Sequence, residues 1–402
     1  PISINNFFLF VNPVNPAIGF DVTLNFMNKE DKGFSAATRV RVIAKIDNSS
    51  SGLDMEFAGI AVDSISLKAQ TTFFKLNGTI CLKNNDPVYG SGFYGGIVLA
   101  FDKFIESPVS ANVCFGKKDD YKYWFVNVAV PTKIPVGSGL SIYRLLGGLR
   151  YHMRQYKEDQ LPSILYSSTA SGFNYYPDNT AGVSFLAGVT LAPSANDKTL
   201  NGDVAFEISF NSNGGLSNVK LAGAVYSMIS IKDRLTKPVT SIPVSATMVM
   251  NYDHSNNSFH SVLNALINTN GIKGAGQCVA HFDPEVKYIC IGKPSSRFKV
   301  SLGNIASVQA YFMMGNQLES MPPVPSLVAS LVGSTGLDNL RSQEQLATGK
   351  GFVFGASINT SAYKDFKVTD AITAYGGFAM TIGFDMMLLD YGKNATCAGT
   401  TT

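Results

Sequence analysis

Residues 120–126 of the chain read Asp-Tyr-Lys-Tyr-Trp-Phe-Val, and residues 285–291 read Glu-Val-Lys-Tyr-Ile-Cys-Ile. Each run closes a hairpin that begins with a short apolar strand. Two more pairs keep a similar spacing: residues 182–189 match residues 351–358, and Tyr-His-Met at 151–153 precedes Tyr-Phe-Met at 311–313. A spacing of roughly 160 to 170 residues, repeated in this way, predicts two diverged copies of one supersecondary unit.

Apolar residues recur at every second position in many segments. Residues 53–57, 204–210 and 244–250 all show this alternation, which predicts strands of antiparallel sheets that bury one face. Turn-forming residues separate such segments, for example Asn84-Asn-Asp-Pro87 and Asn211-Ser-Asn-Gly-Gly215. The predicted fold class is therefore all-β, with one or two short helices. Two related modules of antiparallel hairpins and meanders are expected, at residues 1–175 and 176–402.

Two segments of the second module depart from this alternation. In residues 258–270, apolar side chains from Phe259 to Ile267 fall at helical spacing, and Ser258 is placed to cap the start, which predicts an amphipathic helix. In residues 321–348, the run Met-Pro-Pro-Val-Pro at 321–325 cannot form a central strand, and the residues after it are compatible with a helix. We expect a Pro-rich, partly helical excursion there.

The composition limits the partners that the chain can have. Its 32 basic and 29 acidic residues are spread without a block and give a net charge of +3, so there is no electrostatic footprint for nucleic acid. Only 15% of the 402 residues are charged, which indicates that much of the surface is uncharged or covered.

No stretch approaches the roughly 20 apolar residues of a membrane helix. The chain's first and last residues predict an internal segment of a longer protein.

The four histidines offer the best candidates for a metal or catalytic site. Asp253, His254, His260, His281 and Asp283 are the residues that could bring nitrogen and carboxylate ligands together. No HExxH or comparable ligand spacing supports a metal site, so we expect surface or capping roles, no metal and no cofactor.

Two glycine-rich stretches superficially resemble catalytic or phosphate-binding loops. Residues 271–276 follow the expected helix and precede a strand, the reverse of the order that phosphate binding at a helix N-terminus requires. Residues 137–141 lack the GxSxG spacing of a nucleophile elbow. The sequence therefore predicts a protein that is not an enzyme, with no catalytic residue and no small-molecule substrate.

The five cysteines are too few and too scattered for a disulfide framework. With a three-residue loop at residues 283–285, Cys278 faces Cys290 directly across a hairpin, and a disulfide is then one outcome. A register shifted by one residue puts the two cysteines on opposite faces of the sheet.

Several strings of the second module resemble segments of very large β-rich exported proteins of Bacteroidetes, a group that includes the plug of the type 9 secretion translocon. The strings are residues 280–284, 287–294, 310–315 with the Pro-rich run 321–325, and 383–391. This resemblance covers mainly residues 240–402, and its motifs are structural, so no catalytic residue is carried over. In the first module, Trp-Phe-Val-Asn-Val at 124–128 stands where the second module has Ile-Cys-Ile-Gly-Lys.

The resemblance implies a non-enzymatic plug in the periplasm, associated with the outer membrane. Its partner would be the large outer-membrane translocon protein, whose periplasmic mouth it occludes without spanning the membrane itself. Two other classes stay open. An outer-membrane β-barrel has the same alternating strands, although the expected helix and the Pro-rich run would break its rhythm. A cell-surface adhesin-like β scaffold would need exposed aromatic loops and often calcium-binding carboxylates, but no DxDxDG-like cluster is present.

Overall fold

Antiparallel strands make up most of the protein. The computed structural model describes residues 2–25, 33–49, 52–71, 74–101, 108–156, 175–237, 241–319, 330–331, 350–369 and 372–390. It is 77% strand and 3% helix, and the strands form large antiparallel meanders. The all-β fold class is confirmed.

The chain divides into two compact units. Unit 1 comprises Pro1–Glu158, Pro162–Ala195 and Asp203–Ser217, and unit 2 comprises Asp159–Leu161, Asn196–Gly202 and Asn218–Thr402. The predicted module boundary at residue 175 marks the limit between two sequence repeats. The division into compact units does not test it.

Unit 1 is built on a meander in which each strand pairs with the next. Its strands are β1 (Ile2–Phe10), β2 (Ala17–Asn25), β3 (Gly33–Ser49), β4 (Gly52–Gln70), β5 (Phe74–Asp86), β6 (Gly90–Phe101), β7 (Val109–Lys118), β8 (Tyr121–Gly137), β9 (Leu140–Tyr151), β10 (Met153–Gln155), β11 (Tyr175–Pro177) and β12 (Ala181–Pro193). Strands β1 to β9 pair in chain order, and β9 pairs with β12. Strands β10 and β11 form a separate two-stranded sheet.

Two strands contribute residues to both units, and unit 2 continues the meander pattern. The remaining elements are β13 (Leu200–Asn211), β14 (Leu216–Ser227), α1 (Ile231–Thr236), β15 (Val244–Asp253), β16 (Ser258–Asn268), β17 (Ile272–Phe282), β18 (Lys287–Ile291), β19 (Phe298–Leu302), β20 (Ala306–Gly315), β21 (Lys350–Thr369) and β22 (Ile372–Asp390). Strands β14 to β17 pair in order, β17 and β20 both pair with β18 and β19, and β20 to β22 pair in order.

The helix predicted for residues 258–270 is wrong, because Ser258–Asn268 is strand β16. The apolar spacing from Phe259 to Ile267 also fits a strand that carries apolar groups on both faces. An isolated helix of this length is marginal in water, whereas β16 makes ten residue pairs with β15 and ten with β17. Sheet pairing on both sides therefore overrides the local helical pattern. The short helix α1 lies elsewhere, and its N-cap Ser230 accepts a hydrogen bond from the Asp233 amide at 3.1 Å.

The Pro-rich excursion predicted at residues 321–348 falls almost entirely outside the described residues. Only Ser330 and Leu331 of that segment are described, in helical conformation.

Among the described residues, a core cluster rich in aromatic or sulfur-containing side chains lies in each unit. In unit 1 it consists of Tyr89, Cys114, Tyr123, Phe125, Met153 and Tyr175. In unit 2 it consists of Val262, Val279, Cys290, Tyr311, Met313, Leu318 and Val353, with Tyr288 packed against it. Matched positions of the repeated sequences recur in both clusters: Tyr123 and Phe125 correspond to Tyr288 and Cys290, and Met153 corresponds to Met313. The internal duplication itself stays a prediction.

Candidate functional site

Strand β8 shows which face of the unit 1 sheet is exposed. Tyr123, Phe125, Asn127, Ala129 and Pro131 are buried, while the alternate residues between them, all large and apolar, are more exposed. The face of β8 that carries the Asn127 side chain is therefore the covered face. β8 therefore carries apolar side chains on both faces, and those of the less covered face make up the larger part of what stays open.

The same apolar side continues across unit 1, because directly opposite residues of paired strands share a face. We call this surface the apolar face of unit 1. It consists of Ile4, Phe7, Leu9, Ile18, Phe20, Val22, Val40, Val42, Ile65, Leu76, Ile80, Leu82, Phe93, Ile97, Val113, Phe115, Trp124, Val126, Val128, Val130, Leu145, Leu149, Tyr151, Phe185, Ala187 and Val189. None of these positions carries a charge.

Large side chains on this face are open to their surroundings. Leu149 is 41% exposed, Phe185 is 48% exposed and Phe7 is 75% exposed. A soluble monomer rarely exposes a contiguous apolar patch of more than a few hundred Å². A face of this extent needs a cover that is itself apolar.

The opposite face of unit 1, which we call the polar face, combines the core cluster around Tyr123 and Phe125 with several buried polar and ionic groups. Nη1 of Arg150 donates to Oε2 of Glu207 at 2.9 Å, and a second bond joins Nη2 to Oε1. Both side chains are more than nine-tenths buried. The Arg150 guanidinium also lies 4.8 Å from the centre of the buried Tyr175 ring. Thr190 donates to Asp203 at 2.6 Å, so the charges on this face are held by specific partners.

Nearer the start of unit 1, the polar face carries half-buried ion pairs, and a concavity lies close to it. Arg39 pairs with Asp21 at 2.8 Å, and Arg41 pairs with Asp63. A concavity of about 560 Å³ lies over β4 to β8. Its lining is mostly apolar and includes Ile97 and Val113 of the apolar face as well as Phe125. The polar part of the lining comes from Ser66, Lys68, Asn77, Thr79, Ser110 and Asn112. The concavity is large enough for water and small solutes.

Unit 2 repeats the contrast between two faces. Its apolar face includes Leu221, Met248, Met250, Leu263, Cys278, Ile289, Ile291, Phe312, Met314, Phe352, Phe354, Ile382, Phe384, Met386 and Leu388. On its other face, Arg297 donates to Oδ1 of Asp385 at 2.8 Å, and the Tyr311 hydroxyl donates to the same oxygen at 2.9 Å. The apolar face is again the open one, since Ile382 is 64% exposed.

The structure brings His260, His281 and Asp283 together and leaves His152 and His254 apart from them. His260 and His281 lie on neighbouring strands with 3.3 Å between their Nδ1 atoms, and Nε2 of His281 is 2.8 Å from Oδ2 of Asp283. His254 lies in the β15–β16 turn, and Nδ1 of His152 is 2.9 Å from the Lys122 carbonyl oxygen. Hydrogen bonds from the Val286 amide and then from His281 lower the pKa of Asp283. Across the described ranges, no group of three or more His, Cys, Asp or Glu side chains could hold a metal ion.

The direct pairing of Cys278 with Cys290 is wrong. Cys278 lies opposite Ile291, and Cys290 lies opposite Val279, so the two thiols point to opposite faces. Both cysteines are free. The loop has four residues, 283–286, because Asp283 accepts hydrogen bonds from the amides of Glu285 and Val286 and pairing resumes at Lys287. This is the alternative register that the sequence left open.

Both glycine-rich stretches begin at hairpin turns and run on into strands. Gly271 is the last residue of the β16–β17 connection and has φ of 116°, so this loop joins two strands and not a helix to a strand. Residues 137–139 form the β8–β9 turn, with positive φ at all three.

One turn carboxylate of unit 1 has a strongly shifted pKa. The Asp86 side chain accepts a hydrogen bond from Lys83 Nζ at 2.6 Å and from the amides of Val88 and Tyr89 at 2.9 and 3.0 Å. The Lys83 ammonium, followed by the Tyr89 amide, lowers the pKa of Asp86 to about 2.

We expect acid to loosen this turn only at very low pH. Because the pKa of Asp86 in the folded chain lies below its ordinary value of 3.8, its stabilising effect is fully present above about pH 4 and is lost as the pH falls through about 2. A carbon-detected NMR titration should give a midpoint near 2 for Asp86, and Lys83→Gln should raise that midpoint. A wild-type midpoint in the ordinary range would contradict the turn geometry.

No known protein family, no curated protein and no solved structure matches the chain. In the part of the chain that the structure describes, no helix is long and apolar enough to cross a membrane. The case for function therefore rests on the two faces of the sheets. Sequence reasoning found the alternation that creates them, but it assigned the apolar side to a buried core. The sparse charge was the signal that this side could be open.

Proposed function

We propose that the chain is a membrane-embedded strand protein of the outer-membrane type, with the apolar face of unit 1 against lipid hydrocarbon. One observation carries this proposal: the open face of the sheet is apolar over most of its described extent, with Lys117 and Lys122 at the β7–β8 turn, while the opposite face holds buried ion pairs such as Arg150–Glu207. Strands of outer-membrane proteins alternate in this sense, with apolar side chains toward lipid and polar side chains away from it. The proposed role is structural and involves no chemistry.

Strand lengths support the proposal. A tilted transmembrane strand needs about 9–11 residues. Strands β7, β8, β9 and β12 have 10, 17, 12 and 13 residues. The helix that would have interrupted the hairpin rhythm is strand β16, which removes that objection. The Pro-rich run at 321–325 lies outside the described residues.

A periplasmic plug of the type 9 translocon is the second proposal. The same apolar face supports it, because a large protein wall could cover such a surface as well as lipid could. Binding through uncharged contacts would depend only weakly on salt. The two proposals differ in what the chain does when lipid is its only partner.

Vesicle flotation separates them. The 402-residue chain, refolded in the presence of phosphatidylcholine vesicles, should float with them and stay bound after washes with 1 M salt and alkaline carbonate. Insertion should also protect fragments that contain β8 and β9 from added protease. A chain that stays monodisperse in buffer and leaves the vesicles in these washes would contradict the membrane proposal. Capture by the purified outer-membrane translocon under the same salt would then favour the plug.

A further inference from the structure

A row of aromatic rings crosses the apolar face of unit 1 near one end of its strands. Phe93, Phe115, Trp124 and Tyr151 occupy directly opposite positions on β6, β7, β8 and β9. Successive ring centres are 5.4, 6.4 and 6.3 Å apart. Trp and Tyr concentrate where hydrocarbon meets the headgroup region of a bilayer. We call these four side chains the aromatic row.

Two lysines lie next to this row on the same face. Lys117 is two residues beyond Phe115, and Lys122 is two residues before Trp124, so both share the face of the aromatic row. They are paired directly across the β7–β8 hairpin, and Ser91 of β6 lies opposite Lys117. Both lysines are exposed.

This lysine pair is electrostatically unfavourable on its own. Like charges directly opposite each other destabilise an antiparallel pair. Asp119 and Asp120 are in the adjoining turn, but no ion pair joins either of them to Lys117 or Lys122 among the residues that the structure describes. An anion held between the two ammonium groups would convert the repulsion into attraction.

We propose that Lys117 and Lys122 bind the phosphate of an anionic lipid headgroup, one that has no cation of its own to neutralise it. This inference rests on the proposed membrane function, which places the aromatic row at the edge of the hydrocarbon. The Lys117–Lys122 pair, which is closer to the β7–β8 turn, then lies at the level of the headgroups, where the two ammonium groups meet phosphate.

Unit 2 has a reduced version of the arrangement. Lys287, which corresponds to Lys122 in the repeated sequence, lies opposite Phe282, and the Phe282 ring is 6.2 Å from that of Phe259. Position 282 holds Phe where the hairpin of unit 1 holds Lys117. A single lysine at this place predicts weaker selection for anionic lipid in unit 2.

The test compares binding of the full chain to two kinds of vesicle. Partition coefficients are measured for pure phosphatidylcholine and for phosphatidylcholine with 30% phosphatidylglycerol. Each lysine near an anionic surface strengthens binding to that surface. The double variant Lys117→Gln/Lys122→Gln should therefore lower the preference for the anionic vesicles by about 10- to 30-fold. Binding to pure phosphatidylcholine should stay unchanged. The single variants should be coupled, because the two lysines share one phosphate.

The matched control is Lys198→Gln/Lys232→Gln, which removes two exposed lysines outside the aromatic row. It should keep the anionic preference. An equal loss in both double variants would show attraction by net charge alone and overturn the proposal. Competition by 10 mM inorganic phosphate that abolishes the preference would show a site for free phosphate and would also overturn it. Failure of every variant to bind phosphatidylcholine would instead refute the membrane function itself.

Discussion

Leu145→Arg should cost about 2–4 kcal/mol of folding free energy in phosphatidylcholine vesicles. Leu145 is 41% exposed and lies opposite Val130 on β8 and Val189 on β12. Val130 is six residues along β8 from Trp124, which is about 20 Å at 3.4 Å per residue. With a strand tilt of about 45°, this places Leu145 near the bilayer midplane. The measurement is a reversible urea titration of the refolded chain in vesicles.

The position in the bilayer, and not the charge alone, should set the effect of this substitution. Ser91→Arg places the same charge on the same face beyond the aromatic row, where the cost should be only about 0–1 kcal/mol. On a protein whose open face meets water, both substitutions would stay within about 0.5 kcal/mol of wild type. Equal small effects at Leu145 and Ser91 would therefore contradict lipid contact.

Arg150→Met should destabilise the chain by about 3–5 kcal/mol, because it leaves the Glu207 carboxylate buried without its partner. Arg150 and Glu207 keep only 8% and 6% of their side-chain surface exposed, and two hydrogen bonds join them. The loss is read as a shift of the urea midpoint with an unchanged slope.

The second substitution tests the cause. Arg150→Met/Glu207→Leu removes both charges and should recover most of the stability lost in the single variant. Arg39→Met breaks the more exposed pair with Asp21 and serves as the control, with an expected cost below about 1 kcal/mol. If the double variant is as unstable as the single one, the two side chains stabilise the fold through their packing, and compensation of a buried charge is not the cause.

Local patterns in the sequence predicted the fold class but not every element. Alternation such as that in residues 204–210 is a period-two signal that only a strand satisfies. In Ser258–Asn268, apolar residues on both faces mimic a helical spacing, and only the neighbouring strands β15 and β17 decide the outcome. The register of Cys278 against Cys290 depended on one extra loop residue, which Asp283 fixes through two backbone hydrogen bonds.

The candidate site was harder to predict than the fold. Alternation assigns residues to two faces, but it does not say which face is open. The rule that large apolar side chains are buried predicts a buried Phe206, but its side chain is 46% exposed. The charged residues that pair on the polar face are distant in sequence. Arg150, for example, donates to Glu207, which lies 57 residues further along the chain. The lysine pair beside the aromatic row becomes visible only when the register of β7 and β8 is known.

Nitroxide accessibility along β12 tests lipid contact most directly. Single cysteines at residues 185–187, 189 and 190, in a chain whose five native cysteines are replaced, are spin-labelled after insertion into phosphatidylcholine vesicles. If the apolar face meets hydrocarbon, labels at Phe185, Ala187 and Val189 should collide often with oxygen and rarely with a water-soluble nickel complex. Labels at Leu186 and Thr190 should collide rarely with oxygen, giving a period of two. Strong collision with the nickel complex at residues 185, 187 and 189, or no alternation, would contradict a lipid-facing sheet.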